Sequence, residues 1–263
     1  MIHKTAIIDL KAEISSNVKI GPYSVVGPNV KIDENSEIQS HVSIVGNTKI
    51  GKNNKIYPFS SIGNDPQDLK FNGEDTKLEI GDNNKIREYV TINPGTNGGG
   101  GMTKIGNNCL FMVSSHIAHD CIVGNNVVFV NNAVIGGHVE ISDYVYLGGQ
   151  SAIHQFCRIG TLSMIGGMSA VEHDVVPYGL VTGNRAHLLG LNIVGLRRAK
   201  YSNDIIKDFK NTFEKIFNSN EIKTEAISNN DTTNELTKKL IDFIKSDSSR
   251  GLCSFKWIKK LIT

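Results

Sequence analysis

The chain has 263 residues, a formal charge of +2, 26 glycines and only six prolines. That length suffices for a core without metal or disulfide staples, and no stretch approaches the roughly 18 consecutive apolar residues of a membrane span. Charges inside "MIHKTAIIDLKAEIS" break the apolar stretch that a signal peptide needs, so the chain is read as soluble and cytoplasmic.

From Ile2 onward every sixth residue is aliphatic: Ile2, Ile8, Ile14, Ile20, Val26, Ile32, Ile38, Ile44, Ile50, Ile56 and Ile62. The pattern resumes at Ile80, Ile86 and Ile92, and again from Ile105 and Phe111 through Ile117, Val123, Phe129 and Ile135 to Val171. Four residues after most of these stands a small or β-branched side chain, such as Ser24, Thr48, Cys121 or Ser151. A helix repeats at 3.6 and a strand at 2, so a period of six implies short strands joined by tight corners. "IGNN" at 105 and "VGNN" at 123 supply residues that tolerate positive φ there. The pattern resembles the hexapeptide repeat of left-handed parallel β-helix proteins. In that fold three hexapeptides make a triangular coil, and residues 18 apart stack at the strand spacing of about 4.8 Å. Cys121 and Cys157 would then lie two coils apart, too far for a disulfide. Cys109, Cys121, Cys157 and Cys253 form no metal-binding pair and are expected to be reduced and buried.

Two segments interrupt the repeat, "GNDPQDLKFNGEDTKLE" at 63–79 and "NPGTNGGGGMTK" at 93–104. They are expected to project from the prism as loops, where binding groups are often placed. After "DVVPYG" the period fails. "SNDIIKDFKNTFEKIF" carries a helical apolar face behind Ser202 or Asn203 as cap, and "NELTKKLIDFIKS" repeats that pattern. The expected organisation is a β-helix over 1–184 and a mostly helical domain over 185–263, with 228–234 as an interhelical loop. Charge divides at the same point: 13 Lys and Arg against 17 Asp and Glu up to residue 184, and 15 against 9 beyond it. A basic tail suits an acidic protein, a nucleotide phosphate or nucleic acid, or is simply a solvated helical surface.

"SSHIAHDCIVGNN" at 114–126 holds the residues with chemistry. His119 stands two past the inward Ile117 and should project from the wall. One coil on, residue 137 is glycine, which leaves the wall bare and exposes backbone amides beside the imidazole. A base next to an amide donor is what acyl transfer from a thioester requires. Asp120 could orient the ring, and Ser114 or Ser115 need not act as nucleophile if the acceptor attacks directly. β-Helix carbonic anhydrases bind zinc through three histidines, two of them five apart; no pair here has that spacing, so no metal is expected. Packed or surface histidines are the structural alternative.

"SSHIAHDCIVGNN", "GGHVEI" (136–141), "AIHQFCRIG" (152–160), "PQDLK" (66–70), "IREYVTI" (86–92) and "GLNIVGLRR" (190–198) together closely resemble the UDP-N-acetylglucosamine O-acyltransferases that open lipid A synthesis. The resemblance implies a homotrimer with no cofactor and no nucleic-acid partner, moving a 3-hydroxyacyl group from an acidic acyl carrier protein to the sugar 3-hydroxyl of UDP-N-acetylglucosamine. It assigns His119 as general base, Gly137 as oxyanion amide and Asp120 as helper of the base. His116, His138 and His154 with Gln155 would line the cleft for the nucleotide sugar and the acyl chain. Asp68 and Lys70 would contact sugar or acyl groups from the first loop, and Asn192 and Arg198 the uridine diphosphate. Gly167 would leave room for a long acyl chain, beside Met168. The chain departs from the family pattern at Val194, where some members carry an acidic residue, and at Asn93, where they carry histidine. Lys200, Lys207 and Lys210 are the expected steering charges for the carrier protein. The rivals are a related N-acyltransferase, which places a further domain before its β-helix, a coenzyme A-dependent hexapeptide acetyltransferase, and a non-catalytic β-helix scaffold.

Overall fold

The aliphatic period becomes three flat walls. In a computed structural model of the protein, which describes residues 1–217, 222 and 234–255, strands mostly two residues long stack into sheets of nine, eight and ten strands, parallel throughout except for the last strand of the third. The first wall runs from Ile7–Ile8 to Ala170–Val171, the second from Glu13–Ile14 to Arg158–Ile159, and the third begins at Lys19–Ile20. Along each wall Cα partners are 18 residues apart, as in Ile14↔Ile32 and Ile20↔Ile38. The offset grows to 30 at Ile62↔Ile92 and 25 at Ile92↔Ile117, where the interruptions enter. The inward positions Ile32, Ile38, Ile44, Ile50, Ile56 and Ile62 are almost completely buried. Each such side chain contributes about 1.5–3 kcal/mol of transfer free energy, which is what holds a strand only two residues long in place.

The small inward residues do more than fit the corner. Ser24 Oγ donates to the Gln39 carbonyl at 2.6 Å and Ser36 Oγ to the Gly51 carbonyl at 2.9 Å, 15 residues on, so each hydroxyl satisfies a corner carbonyl of the next coil. Cys121 Sγ makes the equivalent contact to the Gly136 carbonyl at 3.1 Å. All four cysteines are free and buried. The corners need positive φ. Asparagine supplies it at Asn35, Asn53, Asn83, Asn108 and Asn126, but Tyr23, His41, Phe59 and Tyr89 adopt it too. Strain at those rings is offset by stacking from coil to coil, with centroids 5.1, 5.1 and 5.2 Å apart.

Both interruptions leave the same corner, between the first and second walls. One lies between Ile62 and the strand Lys77–Ile80, the other between Ile92 and Met102–Ile105. Strand pairing resumes at Lys77 and Met102, in each case three residues before the sequence pattern does.

The third wall does not stop where the period fails. Gly179–Thr182 joins it in parallel, and His187–Leu191 turns back antiparallel to it, so a hairpin links the prism to the three helices found among the described residues. These are α1 (Ile193–Arg198), α2 (Asn203–Ile216) and α3 (Glu235–Lys245). Ser202 caps α2 by accepting from Ile205 N–H, and Asn234 caps α3 by accepting from Leu236 N–H. α2 buries Ile206, Phe209, Phe213 and Ile216. The chain then returns to the prism through bridges Asp174↔Leu252 and Leu188↔Phe255. Most of the expected interhelical loop, 228–233, and residues 256–263 lie outside the described residues. No described helix is long and apolar enough to cross a membrane.

Candidate active site

Where the loops end, the corner between first and second walls continues upward as short turns, and the first of these holds Ala118, His119 and Asp120. Asp120 takes φ +58°, which folds its side chain back onto its neighbour. Its Oδ2 lies 2.8 Å from His119 Nδ1. The Asp120 carboxylate is fully buried and accepts two more hydrogen bonds, from Thr96 N–H at 2.9 Å and from the Thr96 hydroxyl at 2.6 Å. Thr96 belongs to the second loop, so that loop reaches up one coil to hold the carboxylate. Gly99 in the same loop lies against it, and a Cβ there would overlap the Asp120 carboxyl group. Neither Thr96 nor Gly99 was legible from the repeat, because loop residues carry no period.

Nδ1 is thus committed as donor to a carboxylate, which leaves Nε2 as the acceptor nitrogen. That edge of the ring faces Gly137. A Cβ on Gly137 would stand 2.6 Å from His119 Cε1 and 2.7 Å from Nε2, so only glycine leaves the imidazole its place. Among the described residues the Gly137 amide has no backbone acceptor, whereas Gly136 donates to Ile153 and His138 to His119. A free amide and a free imidazole nitrogen therefore lie together on successive turns of the corner.

Around them lies a cavity of about 450 Å³ lined by His116, His119, Gly137, His154 and Gln155, with Gln67 and Asn93 from the loops. His116 is hydrogen-bonded through Nδ1 to the Thr91 hydroxyl at 2.6 Å. Burial, then the nearby His119, pushes the His116 imidazole below its ordinary value. His138 does not line the cavity. It presents its ring at right angles to His119 at 5.1 Å and stacks on Phe156 at 4.4 Å, and burial lowers its pKa despite the opposing effect of Asp120. Asn93 donates to the Asn64 and Asp65 carbonyls, tying the roots of the two loops together.

The other expected residues are placed elsewhere. Gln67, not Asp68 or Lys70, reaches the cavity; Asp68 accepts from the Lys70 amide within its own loop, and the Lys70 side chain is exposed. Gly167 is at the corner between third and first walls, beside the exposed Met168. Asn192 caps α1 by accepting from Gly195 N–H and donates to the Leu162 carbonyl, at the corner between second and third walls. Arg198 is exposed at the end of α1. One chain therefore does not bring Gly167, Asn192 or Arg198 to His119. His119, Asp120 and His138 each offer a ligand atom within 4.8 Å of the others. The Asp120 carboxylate already accepts from Thr96 N–H, the Thr96 hydroxyl and His119 Nδ1, an arrangement that orients the imidazole as a proton acceptor.

Known proteins resemble the chain over nearly its whole length. Residues 11–46 and 102–137 match the bacterial transferase hexapeptide family, and 174–253 match the second domain of UDP-N-acetylglucosamine O-acyltransferase. A protein of Aliarcobacter butzleri named as an acyl-carrier-protein-dependent UDP-N-acetylglucosamine O-acyltransferase is 49% identical, covering 95% of this chain and 97% of its own length. A solved structure of the Acinetobacter baumannii enzyme superposes with a TM-score of 0.90 at 44% identity, covering 96% of this chain and 99% of that one. The UDP-N-acetylglucosamine acyltransferase of Campylobacter jejuni gives 0.92 at 36% identity, covering 97% and 100%. The prism is accordingly a left-handed parallel β-helix with a small helical region at its C-terminal end. The chain belongs to the UDP-N-acetylglucosamine O-acyltransferase family.

Proposed function

We propose that the protein moves a (3R)-3-hydroxyacyl group from an acyl carrier protein to the 3-hydroxyl of UDP-N-acetylglucosamine, the acylation that opens lipid A synthesis. The observation that carries this is His119, bound through Nδ1 to a buried carboxylate and open at Nε2 beside Gly137. Nε2 takes the proton of the sugar hydroxyl as its oxygen attacks the thioester carbonyl. The Gly137 amide donates to the oxyanion that forms. The intermediate collapses, the C–S bond breaks, and the carrier thiol leaves with the proton held by His119. Asp120 stabilises the imidazolium in between, and His116, His154 and Gln155 line the space for sugar and acyl chain.

The remaining residues belong to an assembly. The outward positions of the first wall, among them Ser43, Ser61, Thr91, Val134, Ala152 and Ala170, include no charged side chain, whereas the second wall carries Glu13, Lys31, Lys49, Glu79 and Lys104. An uncharged flat wall supports packing of three prisms, with Asn192, Arg198 and Gly167 of a neighbour completing the cleft over His119. Lys200 and Lys207 remain exposed to steer the carrier, while Lys210 is paired with Glu214 at 3.6 Å. The test is mass spectrometry of the product made from UDP-N-acetylglucosamine and 3-hydroxyacyl carrier proteins of several chain lengths. O-Acylated sugar nucleotide supports the reading and its yields give the acyl length. An unreacted acceptor with every donor, or a fully active monomer by sedimentation, would overturn the reaction or the assembly respectively.

A further inference from the structure

Among the described residues Arg250 is the half-buried arginine with no carboxylate partner. Arg87 pairs with Glu88, Arg158 with Asp174 and Arg185 with Glu172, while Arg197 and Arg198 are exposed on α1. Arg250 sits in the segment that returns to the prism after α3. Its Nε–H donates to the Gln155 carbonyl at 2.8 Å, and its guanidinium lies over the Phe156 ring at 5.9 Å. His173 Nδ1 bonds the Arg250 carbonyl at 2.7 Å, which fixes the backbone as well. Among the described residues neither terminal nitrogen of this clamped guanidinium has a hydrogen-bond or ion-pair partner.

Its position matters because two phosphate-bearing substrates meet in the cleft, and the neighbour's Arg198 proposed above is a single cation. No described lysine or arginine lines the cavity around His119, yet both proposed substrates bring phosphate there. Gln155, which lines that cavity, is two coils along the corner from the base, roughly 10 Å at the strand spacing. A nucleotide pyrophosphate and the phosphodiester of a carrier's prosthetic arm are each joined to the reacting group by a chain that can span this distance. A guanidinium fixed by one nitrogen and by an aromatic face presents its other two as a fork for phosphate oxygens, with little entropy left to lose.

We propose that Arg250 binds a substrate phosphate at the rim of the catalytic corner. The assignment rests on the acyl transfer proposed above. Saturation kinetics of Arg250→Gln, which keeps a donor for Gln155 but no charge, should show KM raised about tenfold or more for one substrate, with kcat within about twofold of wild type. If UDP-N-acetylglucosamine is the affected substrate, the pyrophosphate is bound. If the carrier-linked donor is affected and a 3-hydroxyacyl-pantetheine lacking phosphate is not, the diester is bound. Arg250→Lys should recover part of the loss, and it serves for the same measurement should the glutamine variant fail to fold. An active wild type with both KM values unchanged in the variant, or a fall in kcat alone, would overturn the assignment while leaving the acyl transfer intact. A wild type that makes no product would overturn both.

Discussion

Two columns of rings climb this prism, and only one of them has chemistry. At the corner between third and first walls Tyr23, His41, Phe59 and Tyr89 stack from coil to coil, with a histidine second in the pile. At the corner between first and second walls the corresponding positions hold Asp120, His138 and Phe156, with His119 set edge-on against His138 from the neighbouring position. The backbone is the same: His41 has φ +57° and His138 +61°. What differs is interruption. The first column continues without a gap and has no buried carboxylate. The second loses a side chain at Gly137 and gains a loop from below that fixes Asp120. A repeat supplies identical positions, and a site arises where two of them are broken.

That contrast can be tested most sharply at the two histidines. His119→Ala should lower kcat by roughly 10²–10⁴, while His41→Ala stays within about twofold of wild type in the same acyl-transfer assay. Equal losses would remove the distinction between the columns. Restoring the missing side chain is the next largest change. Gly137→Ala places a methyl where the His119 ring now lies and should cost on the order of 10² in kcat through misplacement of the base, with a native circular dichroism spectrum. Full activity of that variant would mean that the bare wall is incidental.

The loop's contribution is smaller. Thr96→Val removes one of the hydrogen bonds that hold Asp120 and should cost about 1–3 kcal/mol in stability by denaturant titration, with kcat lowered several-fold. An unchanged midpoint would show that the Asp120 carboxylate finds another partner. The smallest effect concerns pH. Burial holds His116 and His138 below the ordinary imidazole value. As pH falls through about 6.5 the unfolded chain takes up protons that these folded imidazoles refuse, so stability is complete above that pH and declines below it until the folded groups titrate. Thermal melts between pH 8 and 5 should show this slope, and His116→Gln should flatten part of it. A slope unchanged in that variant would assign the effect elsewhere.

The walls were readable because a period of six implies short strands joined by tight corners, and the resemblance to β-helix proteins, with its spacing of 18, put Gly137 over His119 from the sequence alone. The caps at Ser202 and Asn234 were equally local. The grip of Thr96 on Asp120 was not, since it depends on how the second loop folds back. Nor was the place of Gln67 in the cavity, where Asp68 and Lys70 were expected, because loop direction is set by tertiary packing and not by period. Arg250 reaches Gln155 across 95 residues of chain, a distance over which no sequence pattern speaks. The aromatic corner residues were missed for another reason: positive φ favours glycine and asparagine locally, and only stacking between coils offsets it.

The small inward position also gives the molecule a set of internal probes. Burial pushes the Cys109 thiol up to about 11 and those of Cys121, Cys157 and Cys253 to about 12. No cysteine precedes residue 109, and at the far end Ile2, Ile7 and Leu10 are exposed. An alkylating reagent is therefore blind to fraying of the first coils and reacts only when the catalytic coils or their helical cover come apart. The rate of thiol modification reads the opening of the active region alone, without any added label.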